Sequence, residues 1–324
     1  MKELTQFYSD VTPAANVSNL GSLDAVGSSI DKIFAEAIVA NKPTSILEEN
    51  GIIVVKTAPA EKDKVSFPII RNTQLTWSTI GRGTNDTGSD LGVSLLNKVE
   101  YKEVTPTMKT ASIFIPDNVS LLNKVDFDMY AMLGATDAQR KKEEDALSVL
   151  ATEASAGIVK VAGGYTASTG SIASGSTLDP MDLVKMKRDM STGSNINKPD
   201  FVIVYPNQYA QLNTHADFAP GATTNGAIMR KAKFDENGDI VRFDGMDIYV
   251  SELVPAGATG YYAVNGHPAI VGKKGLAIGR GEHSGIIVNT QDNRVLHGQY
   301  KVFDMSYDNA ILVSEAVGIL RCAD

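Results

Sequence analysis

"FDGMDIYVSELVPAG", Phe243 to Gly257, reads as a strand, a kink and a short exit marked by Pro255 and Gly257. Nothing in it is arranged for catalysis. A strand and turn this well formed and this silent chemically read as scaffold, one course of a wall.

The same α/β section extends to either side. Upstream, Asp179 to Met190 has helix spacing, with Asp179 as cap and Pro180 in the first turn. Asp200 to Pro206 reads as a strand, Asn207 to His215 as a short helix, and Asn237-Gly238 as a hairpin turn. Downstream, "YYAVN" and "PAIVGKKGLAIG" read as strands. A β-rich tail follows, in which Lys301, Phe303, Met305 and Tyr307 alternate on one face. Asp308-Asn309 is expected to turn there into the strand "AILVSEAVGIL". Gly163 to Thr177 is rich in Gly, Ser and Thr and separates this section from what precedes it.

Before that linker, Asp126 to Gly157 is a strong helix former with Gly134 as its one interior breaker and Gly157 as its stop. Met129, Met132, Leu133, Leu147 and Leu150 mark its apolar side, and Arg140 to Asp145 is highly charged. From Val65 to Ile80 the period is two, through Val65, Phe67, Ile69, Thr73, Leu75, Trp77 and Thr79. A polar turn region, Gly81 to Asp90, and a second extended run, Val99 to Pro116, complete the pattern of a long hairpin. Sixteen residues of strand span roughly 50 Å at ~3.3 Å per residue, enough to overrun the edge of a domain. Two shorter strands broken near Pro68 and Pro106 fit the pattern equally. Trp77, the one tryptophan, is either an anchor on a neighbouring subunit or a core residue. Residues 1–20 read as an extended arm, and Ser22 to Asn41 as an amphipathic helix with Leu23, Val26, Ile30, Ile33, Phe34, Ala37 and Ile38 on one face.

Composition narrows the function classes. The 324 residues are 43% hydrophobic and 21% charged, a globular balance, with no apolar run near the ~20 residues of a spanning helix. No apolar signal core opens the chain, so synthesis in a cytoplasm and no membrane partner are expected. A net charge of −8 speaks against a dedicated nucleic-acid reader, though not against a container for nucleic acid. The single cysteine, Cys322, rules out an intrachain disulfide and reads as an incidental thiol.

Chemistry-bearing motifs fail one by one. "HPAIVGKK" has His267 where a phosphate loop needs Gly and Lys274 where it needs Ser or Thr. "GRGEHSG", Gly279 to Gly285, has the wrong spacing for a dinucleotide fingerprint and reads as a turn or bulge. G-x-S-x-G and H-E-x-x-H are absent. His215, His267, His283 and His297 are far apart, and "DENGD", Asp235 to Asp239, reads as a solvated turn. Asp126 and Asp128 suit a helix N-terminus. No catalytic, cofactor or metal residue is expected.

The order of elements, with the stretches "TLDPMDLVKMKRDMSTGSNINKPDFVIVYPNQYAQLN", "FDGMDIYVSELVPAGATGYYAVNGHPAIVGKKGLAIGR" and "YKVFDMSYDNAILVSEAVGIL", resembles tailed-phage (or related archaeal virus) major capsid proteins of the Hong Kong 97 fold. The resemblance implies an α+β fold with five parts. These are an N-terminal arm (residues 1–50), an extended β-hairpin loop with flanking strands (51–115), a long spine helix of a peripheral domain (116–162), an axial domain (163–290) and C-terminal peripheral strands (291–324). It implies pentamers and hexamers closing into an icosahedral shell around double-stranded DNA contacted non-specifically. It also implies location in the virion, with a portal protein and a scaffold or cement protein as further partners. Trp77, Arg82, Asn85, Asp86, Asp90 and Leu91 on the extended loop become the candidate inter-subunit contacts. Some relatives begin with a long scaffolding segment, whereas only a short arm precedes Ser22 here, so a separate scaffold or none is expected. Some cross-link through a loop lysine, but Gly81 to Leu96 holds none and Lys98 is the nearest, so no cross-link is expected. The alternatives are an encapsulin-like nanocompartment shell, an α/β enzyme or ligand-binding protein without a recognisable motif, and another virion protein such as a tail-tube subunit.

Overall fold

The computed structural model describes residues 45–58, 63–70, 99–116, 127–167, 176–192, 198–218, 231–257, 266–293 and 298–323. In chain order the strands are β1 (Ile53–Thr57), β2 (Val65–Ile70), β3 (Val99–Val104), β4 (Thr107–Pro116), β5 (Ile158–Val161), β6 (Thr166–Ala167), β7 (Phe201–Val204), β8 (Ala232–Phe234), β9 (Ile240–Phe243), β10 (Met246–Val250), β11 (Pro268–Gly272), β12 (Ile278–Asn293), β13 (Gly298–Ile311) and β14 (Val317–Arg321). The α-helices are α1 (Ile46–Glu49), α2 (Phe127–Leu150), α3 (Pro180–Ser191) and α4 (Pro206–Asn213). The chain divides into two compact units, one of Met1–Thr44, Met108–Arg140 and Ser284–Ser306, the other of Ser45–Thr107, Lys141–His283 and Tyr307–Asp324.

The second unit is built on an eight-stranded sheet of order β6-β5-β14-β11-β7-β10-β9-β8. Its central strands "FVIV", "PAIVG" and "VGILR" are short and apolar apart from Arg321, which pairs with Glu153, and they are buried at every position because both faces are covered. The period of two sorts each strand's side chains. Val202 and Val204 meet Leu183, Met186 and Met190 of α3, while Phe201 and Ile203 meet Leu47 of α1 and Leu147 and Leu150 of α2. The opening stretch "FDGMDIYV" lies in this sheet. Asp244 and Gly245, both at positive φ, turn β9 into β10, and β10 runs parallel to β7.

In the first unit, α2 needs its interior glycine. A Cβ on Gly134 would fall 2.1 Å from Cζ of Phe303, so the ring lies directly on the helix backbone. The helix propensity lost at Gly, about 1 kcal/mol, is offset by burial of that ring. Phe303, Met305 and Tyr307 are all buried, as the alternation predicts.

Several boundaries differ from the sequence reading. The long helix stops at Leu150 rather than Gly157, and a 3-10 turn, Glu153–Ser155, intervenes before β5. β2 passes through Pro68 unbroken, opposite Tyr101, because a two-stranded sheet leaves each strand an outer edge that needs no donor. The break that the shorter-strand reading placed near Pro106 does occur, at Thr105 and Pro106 between β3 and β4. Asp308-Asn309 does not turn, since β13 runs on to Ile311 and the break falls at Ser314–Ala316. "GRGEHSG" is part of β12 rather than a turn. The strand expected in "YYAVN" lies outside the described residues.

Gly157 does have a fixed role. Its N–H donates to Ser314 O (2.8 Å) and Val317 O (3.0 Å), and a Cβ there would sit 2.7 Å from both Glu315 Cα and Ser314 O. Backbone cannot swing aside as a side chain can. Gly157→Ala is expected to destabilise the subunit by about 2–3 kcal/mol, the range of an overpacked core, read as a lower urea midpoint. A midpoint unchanged from wild type would contradict this packing.

Candidate assembly site

Within the second unit β12 carries Gly279-Arg280-Gly281, and its two faces do different work there. On the glycine face the β2–β3 hairpin sits against the strand. A Cβ on Gly279 would lie 2.8 Å from Leu312 Cδ2 and 3.0 Å from Phe67, and one on Gly281 would lie 3.0 Å from Val65 Cγ2. The absence of side chains lets Phe67, Val65 and Leu312 pack directly on the β12 backbone. Val65, Phe67 and Val104 are thereby buried, while the hairpin's outer positions, Ser66, Pro68, Tyr101 and Glu103, stay exposed.

On the other face Arg280 is fully buried. Its Nε donates to Asn309 Oδ1 (2.9 Å) and its Nη2 to Lys142 O (2.9 Å), and Nη1 pairs with the Glu48 carboxylate. The guanidinium lies 5.6 Å from the Tyr307 ring centroid, and Lys142 Nζ approaches the same ring at 5.5 Å while pairing with Glu282 at 2.8 Å. Tyr307 donates its hydroxyl to Asp145 Oδ2 (2.7 Å), and burial together with that acceptor raises its pKa. One cation therefore ties α1, α2, β12 and β13 together. A guanidinium suits the position because its fixed fork of donors serves three acceptors at once.

Glu143, on the same turn of α2, accepts from Ile46 N at 3.0 Å and holds α1 to the long helix. Burial pushes its carboxyl up to about 7, against the pull of the Ile46 and Leu47 amides and Arg280, with Glu48 adding to the rise.

Beside the hairpin base lies a groove of about 500 Å³ lined by Ile69, Tyr101, Lys102, Val149, Asn309 and Leu312. The residues singled out from the sequence as inter-subunit contacts, Trp77, Arg82, Asn85, Asp86, Asp90 and Leu91, lie outside the described residues. So does His297. His215 stands edge-on to Phe218 and His267 stacks on Tyr205 at 3.8 Å. Asp235 accepts from Asn237 N (2.9 Å) and Asp239 N (2.8 Å), which makes "DENGD" a self-satisfied turn. Cys322 is buried. Among the described residues no three His, Cys, Asp or Glu side chains gather as metal ligands would. Among them, too, no helix is long and apolar enough to cross a membrane.

The Arg280 junction was missed in the sequence. Its one trace there is the basic residue that ends the stretch Phe243 to Arg280. Glu143 was hidden in a run of charges that otherwise reads as a solvated face.

The raised Glu143 pKa fixes a pH dependence. The folded protein holds this proton more tightly than the unfolded chain, so the group's contribution to stability is greatest below 4.5 and falls as pH rises to about 7. The loss is of order 1.4 kcal/mol per unit of displacement. Urea midpoints measured between pH 4.5 and 7.5 should decline more steeply in wild type than in Glu143→Gln. Parallel profiles, or a steeper decline in the variant, would contradict the assignment.

A family model described as phage capsid protein matches residues 121–321, more than half of the chain. No curated protein matches at a significant level. Among solved structures, the capsid of the cyanophage P-SCSP1u superposes with TM-score 0.58 at 16% identity, covering 84% of this chain and 87% of that one. The mature capsid of bacteriophage PhiM1 gives 0.56 at 10% identity, covering 84% and 85%. The holo-SrpI encapsulin complex from Synechococcus elongatus PCC 7942 gives 0.55 at 10% identity, covering 87% and 89%. Identities this low speak for the fold, and the family match speaks for membership. The chain belongs to the phage capsid protein family, as a major capsid protein of the Hong Kong 97 fold.

Proposed function

We propose that copies of this chain assemble through pentamers and hexamers into an icosahedral shell that encloses viral double-stranded DNA. The observation that carries this reading is the phage capsid family match over residues 121–321, on a fold shared with phage capsids along more than four fifths of the chain. The role is structural, and the place of action is the virion. Synthesis falls in the host cytoplasm. A portal protein and a scaffold or cement protein complete the particle, and the DNA is held without sequence recognition, in keeping with a net charge of −8.

Within the subunit, residues 1–50 serve as the arm and residues 51–115 as the extended loop with its flanking strands. Residues 116–162 carry the spine helix of the peripheral domain, 163–290 the axial domain, and 291–324 the returning peripheral strands. The contacts of the extended loop with a neighbouring subunit fall to Trp77, Arg82, Asn85, Asp86, Asp90 and Leu91. Their place in the chain supports this. They lie in the 28 residues 71–98, which join two antiparallel strands paired over six positions, Val65–Val104 to Ile70–Val99. A shell needs large interfaces from one repeated chain, and a loop carried on a clamped hairpin supplies area that a compact unit lacks.

The encapsulin likeness favours a second reading, a nanocompartment shell built on the same fold. The two part in their contents. The full chain, expressed and examined by negative-stain electron microscopy with light scattering for mass, is expected to give closed or partial shells, or rings of five and six. Nuclease-sensitive DNA in particles from infected cells supports the capsid reading, and a co-purifying host enzyme supports the nanocompartment. A monodisperse monomer or dimer at high concentration, with or without other virion proteins, would overturn both.

A further inference from the structure

Each sheet in this chain has edges, and an unpaired strand edge presents a row of N–H and C=O groups that another chain can join. The eight-stranded sheet guards both of its edges. β6 has two residues, and β8 has three with a register shift between Lys233 and Phe234. Short, irregular, lysine-bearing edges are what proteins use to block strand addition.

β4 is different. It stands last in the strand order β1-β12-β13-β4 and runs for ten residues, "TMKTASIFIP". It pairs with β13 in antiparallel register. Thr110 Oγ1 donates to Asp304 Oδ1 (2.8 Å), and four residues on, Phe114 packs against Tyr300 at 4.8 Å, four residues back. Among the described residues no strand occupies its other edge. Lys109 is its single charge, it holds no glycine, and its only proline is the last residue, Pro116. Thr107, Thr110, Ala111 and Ser112 are exposed, and Met108 is 72% exposed. Among the described residues, the edges of the eight-stranded sheet are guarded and this long one is not.

We propose that the outer edge of β4 is a strand-addition site for a second copy of this chain, a contact that rests on the capsid reading and specifies one of its interfaces. Pairing along ten residues covers a strip roughly 33 Å by ~10 Å on each partner. That is well under the ~1,200 Å² total of a stable isolated dimer. The contact is therefore one of several made per copy, effective where many copies are held together. Nothing charged along the edge except Lys109 selects a partner of a different kind, and main-chain pairing needs only another extended segment.

Hydrogen exchange with mass spectrometry on the full chain, as separated subunits and as particles, tests this. Amides within residues 107–116 are expected to exchange at least about tenfold more slowly in particles, equivalent to ~1.4 kcal/mol of added protection. Intact particles with unchanged exchange there would overturn the proposal while leaving the capsid reading standing. Full protection already in the separated subunit would assign the edge to the chain's own residues and also overturn it. Failure to form any particle would remove both. Ala111→Pro and Ser112→Pro delete amides that point to opposite edges of β4. One of the two should keep the subunit's melting temperature and lower particle yield about tenfold, equivalent to ~1.4 kcal/mol. Wild-type yield from both would contradict the proposal.

Discussion

A fully buried guanidinium must be matched on every side, and Arg280 imposes that demand on the middle of this chain. Its donors reach Asn309, the Lys142 carbonyl and Glu48, so two strands, the long helix and the short helix before β1 must meet at one point. Removing the Asn309 acceptor would leave a buried guanidinium donor unsatisfied, at a cost of about 1–3 kcal/mol, and removing Glu48 would take away the carboxylate that pairs with Nη1. The junction is thus a constraint on geometry more than a store of stability. It fixes the register between β12 and β13 where Arg280 meets Asn309, and fixes which turn of α2 faces them.

The two glycines beside Arg280 turn the same residue triplet into a seat for the hairpin. At Gly279 and Gly281 one side of the strand is bare backbone and admits Phe67 and Val65, and on the other side Arg280 and Glu282 carry charge. A strand with such unlike faces holds the paired β2 and β3 strands in place without any large core of their own.

Much of the fold was legible because it follows local rules. Asp179 caps α3 by accepting from Met181 N at 2.7 Å, "FVIV" is a doubly buried strand, and Phe303, Met305 and Tyr307 alternate as read. The misreadings share one cause, a residue whose type is dictated by a distant partner. Asn309 looks like a turn residue but is the acceptor for Arg280 inside a strand. Gly279 and Gly281 look like a loop but are spaces for Leu312, Phe67 and Val65. Gly157 looks like a helix stop but is space for the backbone at Ser314 and Glu315. The site was less legible than the fold, because Glu143 and Arg280 acquire meaning only when elements 97 and 138 residues apart in sequence meet. The extended-loop residues rest on sequence alone.

The measurement that tests the account most directly is a cryo-electron-microscopy reconstruction of particles assembled from this chain. The account predicts subunits arranged about five- and six-fold axes, with the Arg280 contacts to Asn309 and the Lys142 carbonyl kept in every non-equivalent copy. Particles without icosahedral order, or a junction that is broken in some copies and kept in others, would contradict it.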